Sequence, residues 1–99
     1  MFFSKLVTVM IPAYNHEKYI ESCLQSVVNQ TYPKLELVIV NDGSSDNTHN
    51  KIIDFIACRE KRFKRVAYIN RDHKGIGDTL NELIDLAKSE YLFQIASDD

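Results

Sequence analysis

Two periods of apolar residues run along this chain. Leu6-Val7-Thr8-Val9-Met10-Ile11 is nearly continuous, apolar and rich in β-branched residues, the pattern of a parallel strand covered on both faces. Pro12, which has no N–H for a ladder, predicts its end. Ile20, Cys23, Leu24, Val27 and Val28 then recur at helical spacing. Asn15 is placed to cap that helix and Tyr32-Pro33 to break it. Leu35 to Val40 reads as a second strand, interrupted only by Glu36, and Asn41-Asp42-Gly43-Ser44-Ser45-Asp46 as a turn. Ser45 or Asp46 can cap a second helix with the stripe Ile52, Phe55, Ile56 and the stem of Arg59. A third strand lies within Arg65 to Asn70, a turn at His73-Lys74-Gly75-Ile76-Gly77, and a third helix on Ile76, Leu80, Leu83, Ile84 and Ala87. Tyr91 to Ala96 is a fourth strand, read as buried, and Ser97-Asp98-Asp99 follows it.

The strands start near residues 6, 35, 65 and 91, at intervals of 29, 30 and 26 residues. Each interval is about the length of one βαβ unit. The alternation predicts one α/β domain over residues 1–99, a Rossmann-like parallel sheet with helices on both faces. Ligands of such sheets sit at the carboxyl ends of the strands. Those ends are Pro12-Ala13-Tyr14-Asn15, Asp42-Gly43-Ser44, Asn70 to Gly77 and Ser97-Asp98-Asp99.

Composition changes this picture little. The apolar fraction of 44%, the charged fraction of 26% and the net charge of −2 suit a globular domain and point to neither nucleic acid nor anionic membrane as partner. The one basic cluster, Arg59-Glu60-Lys61-Arg62-Phe63-Lys64-Arg65, follows a helix, where cations cover the last carbonyls. Cys23 and Cys58 are 35 positions apart, outside zinc or redox spacing, and both fall on apolar helix faces as buried, inert thiols. No run reaches the ~20 apolar residues of a membrane span, and Met1 to Lys5 lacks the features of a signal peptide. A cytoplasmic protein is expected, with docking on the inner face of a membrane open to a longer form.

Each candidate site residue has a structural reading beside its chemical one. Asp42, before a glycine, can accept from a base imino N–H or a ribose hydroxyl, or can shape its own loop by bonding backbone N–H groups. Tyr14 can stack on a base or fill the core. Lys74 and Gly75 open a helix, where backbone N–H groups and a point charge suit a phosphate, although a plain turn needs the same residues. His73 has no second His or Cys at ligand spacing, which argues against a metal there. Asp98 and Asp99 repel each other unless a cation joins them, and hard carboxylate oxygens suit Mg²⁺ or Mn²⁺ on a diphosphate. The other reading of that pair is a solvated tail.

Taken in order, Val7 to Asn15, Ser26 to Tyr32, Glu36 to Asp46 and Ile95 to Asp99 strongly resemble family 2 glycosyltransferases, across essentially all 99 residues. The resemblance implies the nucleotide-sugar half of the GT-A fold, four parallel strands in the order 3-2-1-4 with three helices. It implies a nucleoside-diphosphate sugar donor, with uracil the expected base, a divalent metal and inverting transfer to a saccharide or lipid-linked acceptor, commonly in bacterial polysaccharide synthesis. Carried over by motif, Pro12, Ala13 and Tyr14 would line the base, with Asn15 beside them. Asp42 would bond uracil or ribose, Asp98 would lie near the ribose and diphosphate, and Asp99 would bind the metal.

Two positions depart from the family pattern. Ala96 stands where many relatives have the first Asp of Asp-Ser-Asp-Asp, which puts weight on Asp99. Thr79-Leu80-Asn81 replaces Ala-Arg-Asn, so the usual arginine is absent and Lys74 is the candidate for its charge. Relatives carry the acceptor site and general base downstream of the acidic motif, so this chain is expected to bind donor without catalysing transfer. A non-catalytic nucleotide-binding or interaction domain is the alternative. A nucleotidyltransferase is disfavoured, because Pro12 to Lys18 contains neither Gly nor Arg. In the order 3-2-1-4 the fourth strand is an edge, which predicts self-association through it.

Overall fold

The computed structural model describes residues 5–96. Four strands and three helices alternate: β1 (Val7–Ala13), α1 (Ile20–Val28), β2 (Leu35–Asp42), α2 (Thr48–Arg59), β3 (Arg65–Arg71), α3 (Ile76–Leu86) and β4 (Tyr91–Gln94), with a 3₁₀ turn at Glu60–Arg62 before β3. The sheet is parallel in the order β3-β2-β1-β4, as expected.

Strand period two divides the core. Val9, Ile11, Leu37 and Ile39 face α1 and α2 and pack with Ile20, Cys23, Leu24, Val27 and Ile52. Met10, Val38 and Val40 face the other way onto Leu83 and Leu80 of α3. The result is three layers, αβα. The Ile20, Leu24 and Val27 side chains are completely buried, and each contributes roughly 1.5–3 kcal/mol. β2, the inner strand between β1 and β3, is buried along its whole length.

Several local expectations give way to tertiary context. Pro12 continues β1 opposite Val40 instead of ending it. The Met10 carbonyl accepts from Ile95 on the β4 side, and alternate residues of a strand point the same way, so the missing N–H of Pro12 also faces β4, beyond its last paired residue. Asn15 caps no helix, because α1 starts five residues later. Asp46 does serve the start of α2, accepting the Thr48 N–H at 3.0 Å and its hydroxyl at 2.6 Å. Cys23 is buried, but Cys58 is exposed. On α3 the buried positions are Thr79 and Leu83, whereas Ile76 and Ile84 are exposed. β4, read from its apolar run as buried, is exposed at all four positions, because no helix among the described residues covers the edge of the sheet there.

The basic cluster does cover carbonyls at a helix end, but at and just beyond the end of α1 rather than of the helix it follows. Arg62 donates to the Val28, Gln30 and Tyr32 carbonyls at 2.7–2.9 Å, so the turn after α2 closes the end of α1. No helix among the described residues is long and apolar enough to cross a membrane.

Candidate functional site

The loops after β1 and β2 are sewn together at the carboxyl end of the sheet. Asn15 takes a left-handed backbone (φ 53°), which asparagine tolerates better than most residues. Its N–H donates to Ser44 Oγ at 2.9 Å, and its Oδ1 accepts the Ser45 N–H at 2.8 Å. The His16 N–H donates to Thr48 Oγ1 and the Glu17 N–H to Asp46 Oδ2. Asn15, expected beside the base, is therefore a splice between loops. Its side chain is spent on the β2–α2 turn.

Next to this splice opens a cavity of about 270 Å³, walled by Pro12, Ala13, Tyr14, Asp42, His73 and Ile76, with His16 and Thr79 completing it. β1 brings Pro12 and Ala13, β2 brings Asp42, and the β3–α3 loop brings His73. Of the predicted residues the structure thus gathers Pro12, Ala13, Tyr14 and Asp42. Asp98 and Asp99 lie outside the described residues. Among those described, no group of three His, Cys, Asp or Glu could hold a metal ion.

Asp42 is almost fully buried, and every group around its carboxylate is a donor. Oδ1 accepts the Lys74 N–H at 2.9 Å and Arg71 Nη2 and Nε at 3.1 and 3.2 Å. Oδ2 accepts the Gly75 N–H at 2.9 Å and lies 2.9 Å from His73 Nδ1, which hydrogen-bonds the Asp42 backbone carbonyl at 3.1 Å. Burial raises the pKa of this carboxyl. The Lys74 and Gly75 N–H groups, Arg71 and His73 outweigh it and hold the pKa below the usual aspartate range. Asp42 thus lines the cavity and also organises a loop, though one 32 residues downstream rather than its own.

Lys74 and Gly75 have a partner within the protein. Their backbone N–H groups do bind an anion, but it is the protein's own Asp42, and neither residue lines the cavity. Gly43 permits the arrangement. It has φ +74°, and a Cβ there would come within 2.5 Å of the His73 backbone nitrogen.

Sequence reasoning missed Arg71. Its guanidinium joins Asp42 to Glu82 and donates to Thr79 Oγ1 at 2.6 Å, whose hydroxyl in turn donates to the Gly75 carbonyl at 2.9 Å. The signal was available once the strand order was set, because Arg71 is the register partner of Asp42. His73, considered only as a metal ligand, instead lies against Tyr14 with ring centroids 4.6 Å apart and tilted by 33°.

A parallel αβα sheet with a loop-built cavity at its carboxyl end places the chain among the doubly wound α/β proteins, whose ligands gather at that end. The family model of glycosyl transferase family 2 matches residues 8–99, and the chain belongs to that family. It is 40% identical over 94 residues to a chondroitin synthase of Escherichia coli, covering 95% of this chain and 13% of that one. It is 39% identical to the putative glycosyltransferase EpsH of Bacillus subtilis, covering 94% of this chain and 26% of the relative. The chain thus spans well under a third of either relative. Among solved structures it resembles the mannosyltransferase PcManGT of Pyrobaculum calidifontis, in complex with GDP-Man and Mn²⁺. There the TM-score is 0.87 and the identity 26%, over 95% of this chain and 28% of that one. It also resembles residues 1–349 of TarS from S. aureus in complex with UDP-GlcNAc, with TM-score 0.77 and 28% identity, over 94% of this chain and 26% of that one. The GT-A fold expected from the sequence is the fold observed.

Proposed function

We propose that this chain is the donor-binding region of an inverting glycosyltransferase that takes a nucleoside-diphosphate sugar, with UDP-sugar the first candidate. The observation that carries the reading is the cavity at the carboxyl ends of β1 and β2, which sets the Tyr14 ring and the Asp42 carboxylate against one space. Tyr14, partly exposed, offers a face for a base, and Asp42 offers acceptor oxygens for a nucleoside donor group. Solved relatives of the same fold carry nucleotide sugars, which supports the assignment.

In the proposed reaction an acceptor hydroxyl, saccharide or lipid-linked, forms a bond to the anomeric carbon as the bond to the diphosphate breaks. The hydroxyl proton passes to a general base, and these 99 residues alone are proposed to bind donor without turnover. Asp98 is proposed to face the ribose and diphosphate and Asp99 to bind Mg²⁺ or Mn²⁺, because adjacent carboxylates form a hard oxygen donor set. Such a metal supplies Lewis-acid stabilisation of the departing diphosphate. The proposed location is the cytoplasm, with docking at the inner membrane face as a further part of the proposal.

An NMR titration with UDP, GDP and TDP, with and without Mg²⁺, tests this directly. Shifts at Tyr14 and Asp42, joined by Asp99 when the metal is present, are expected. Silence towards every nucleotide would favour a non-catalytic domain of the same fold.

The edge strand β4 exposes Tyr91, Leu92 and Phe93, and it has no neighbour on its far side among the described residues. Such an edge templates pairing with another chain. We therefore propose that this chain self-associates through β4. Sedimentation velocity should show dimers growing with concentration, and Phe93→Lys should return the monomer. A wild-type chain that is strictly monomeric at high concentration would contradict the proposal.

A further inference from the structure

The Asp42 carboxylate is full. A carboxylate offers about four lone-pair sites. Here Lys74 N–H, Gly75 N–H, two Arg71 nitrogens and His73 Nδ1 already converge on it. A nucleoside donor reaching Asp42 must therefore displace one of them. The occupants differ in how firmly they are held. Lys74 and Gly75 donate from the backbone at the start of α3. The Arg71 side chain is only 11% exposed and is also tied to Glu82 and Thr79. The His73 side chain is 55% exposed, lies at the cavity wall, and is held by its Nδ1 contacts and the Tyr14 ring.

The Nδ1 atom of His73 faces two acceptors, Asp42 Oδ2 at 2.9 Å and the Asp42 carbonyl at 3.1 Å, so it carries a proton and donates. It thus presents to Asp42 the same group that a base imino N–H or a ribose hydroxyl would present. Its ring lies against Tyr14, where a base would stack. The backbone of His73 is packed against Gly43, so exchange needs only a side-chain rotation.

We propose that His73 is a built-in occupant of the nucleoside site, a side chain that fills the Asp42 acceptor and the Tyr14 face until a ligand bearing an N–H or O–H donor displaces it. This rests on reading the cavity as a nucleoside site. His73 then sets donor affinity by competition, and keeps a buried carboxylate satisfied while the site is empty.

Calorimetric titration of wild type, His73→Ala and His73→Gln with UDP, GDP and CDP tests it. His73→Ala should bind UDP roughly three- to tenfold more tightly than wild type, the worth of one displaced hydrogen bond. His73→Gln, which can still donate to Asp42, should fall between. UDP and GDP carry a ring imino N–H and CDP does not. A gain confined to UDP and GDP identifies the ring imino N–H as the displacing group, and an equal gain for CDP shows that the displacing donor is one all three share in kind, a ribose hydroxyl or an exocyclic amino group in place of the imino N–H. Unchanged or weaker binding by His73→Ala would overturn the inference. A measurement on the wild type alone guards against a variant that fails to fold: His73 ring resonances should lose their contact with Tyr14 as UDP saturates, and rings that stay together overturn the proposal. If no nucleotide binds either protein, the nucleoside reading falls and takes this inference with it. Binding by wild type without a gain in the variant removes only the role of His73.

Discussion

Replacing Asp42 by alanine should lower the free energy of unfolding by about 3–5 kcal/mol, the usual cost of breaking a buried, hydrogen-bonded ion pair by removing one partner. The size follows from what would be stranded. Arg71 would keep Glu82 and Thr79 but lose its buried counter-charge, and the Lys74 and Gly75 N–H groups would lose their acceptor. A domain of this size has about 5–15 kcal/mol in total, so the variant should be near its limit. Asp42→Asn separates charge from shape. Every group facing the carboxylate is a donor, so the amide nitrogen must point at one of them whichever way it is turned. Loss of most of the stability difference and of nucleotide binding is expected there too. Urea unfolding of both variants, with amide spectra of residues 71–76, reads this out. Stability within about 0.5 kcal/mol of wild type, the range of an ordinary surface substitution, would contradict the account of Asp42 as the organiser of that loop.

The second large effect lies at the other end of the sheet. Glu36 interrupts an apolar strand and its side chain is 0% exposed. Its Oε1 accepts the Thr8 hydroxyl at 2.7 Å and the Lys88 N–H at 2.8 Å, and its Oε2 accepts Arg65 at 2.5 Å, while Arg65 also donates to the Leu86 carbonyl. One carboxylate thereby joins β1, β2, β3 and the end of α3. Burial raises its pKa, but the Lys88 N–H, the Thr8 hydroxyl and Arg65 together bring it below the ordinary glutamate value of 4.5. A folded pKa below the unfolded one means stability that is fully present above about pH 4.5 and drains away as pH falls through the lower, folded value. Asp42 and Asp46, also depressed, act in the same direction. Glu36→Gln keeps the shape and loses the charge, turning an amide N–H towards Arg65. It should cost about 2–3 kcal/mol at pH 7 and flatten the acid limb of the stability curve. Denaturant melts between pH 7 and 3 check both. A variant with the wild-type acid slope would show that other carboxylates carry the acid sensitivity.

Much of the site was legible in the residues. Pro12, Ala13, Tyr14 and Asp42 were placed by one general fact, that ligands of parallel sheets gather at the carboxyl ends of strands, and they line one cavity. Asn15, Lys74 and Gly75 lie at the same end but turn to other partners. Nothing local distinguishes an N–H offered to a phosphate from one offered to a carboxylate thirty-odd residues away. Arg71 was passed over because a single arginine after a strand is unremarkable until the neighbouring strand is known. His73 was weighed only against metal ligands, and its partners, Tyr14 and Asp42, come from other elements.

The sequence by itself determined the alternation of strands and helices, the parallel sheet with helices on both faces, and the end of the sheet where chemistry gathers. Those follow from periodicity, which is carried by neighbouring residues. Only the tertiary structure decided which donors fill Asp42, that Arg62 closes α1, that Pro12 can sit inside β1, and that Cys58, Ile84 and all of β4 face outward. Each of those depends on which element lies beside which, on contacts between residues some thirty positions apart, and on where the sheet has an edge. A stripe of apolar residues states that a face can be buried, and the packing of the whole chain decides whether anything covers it.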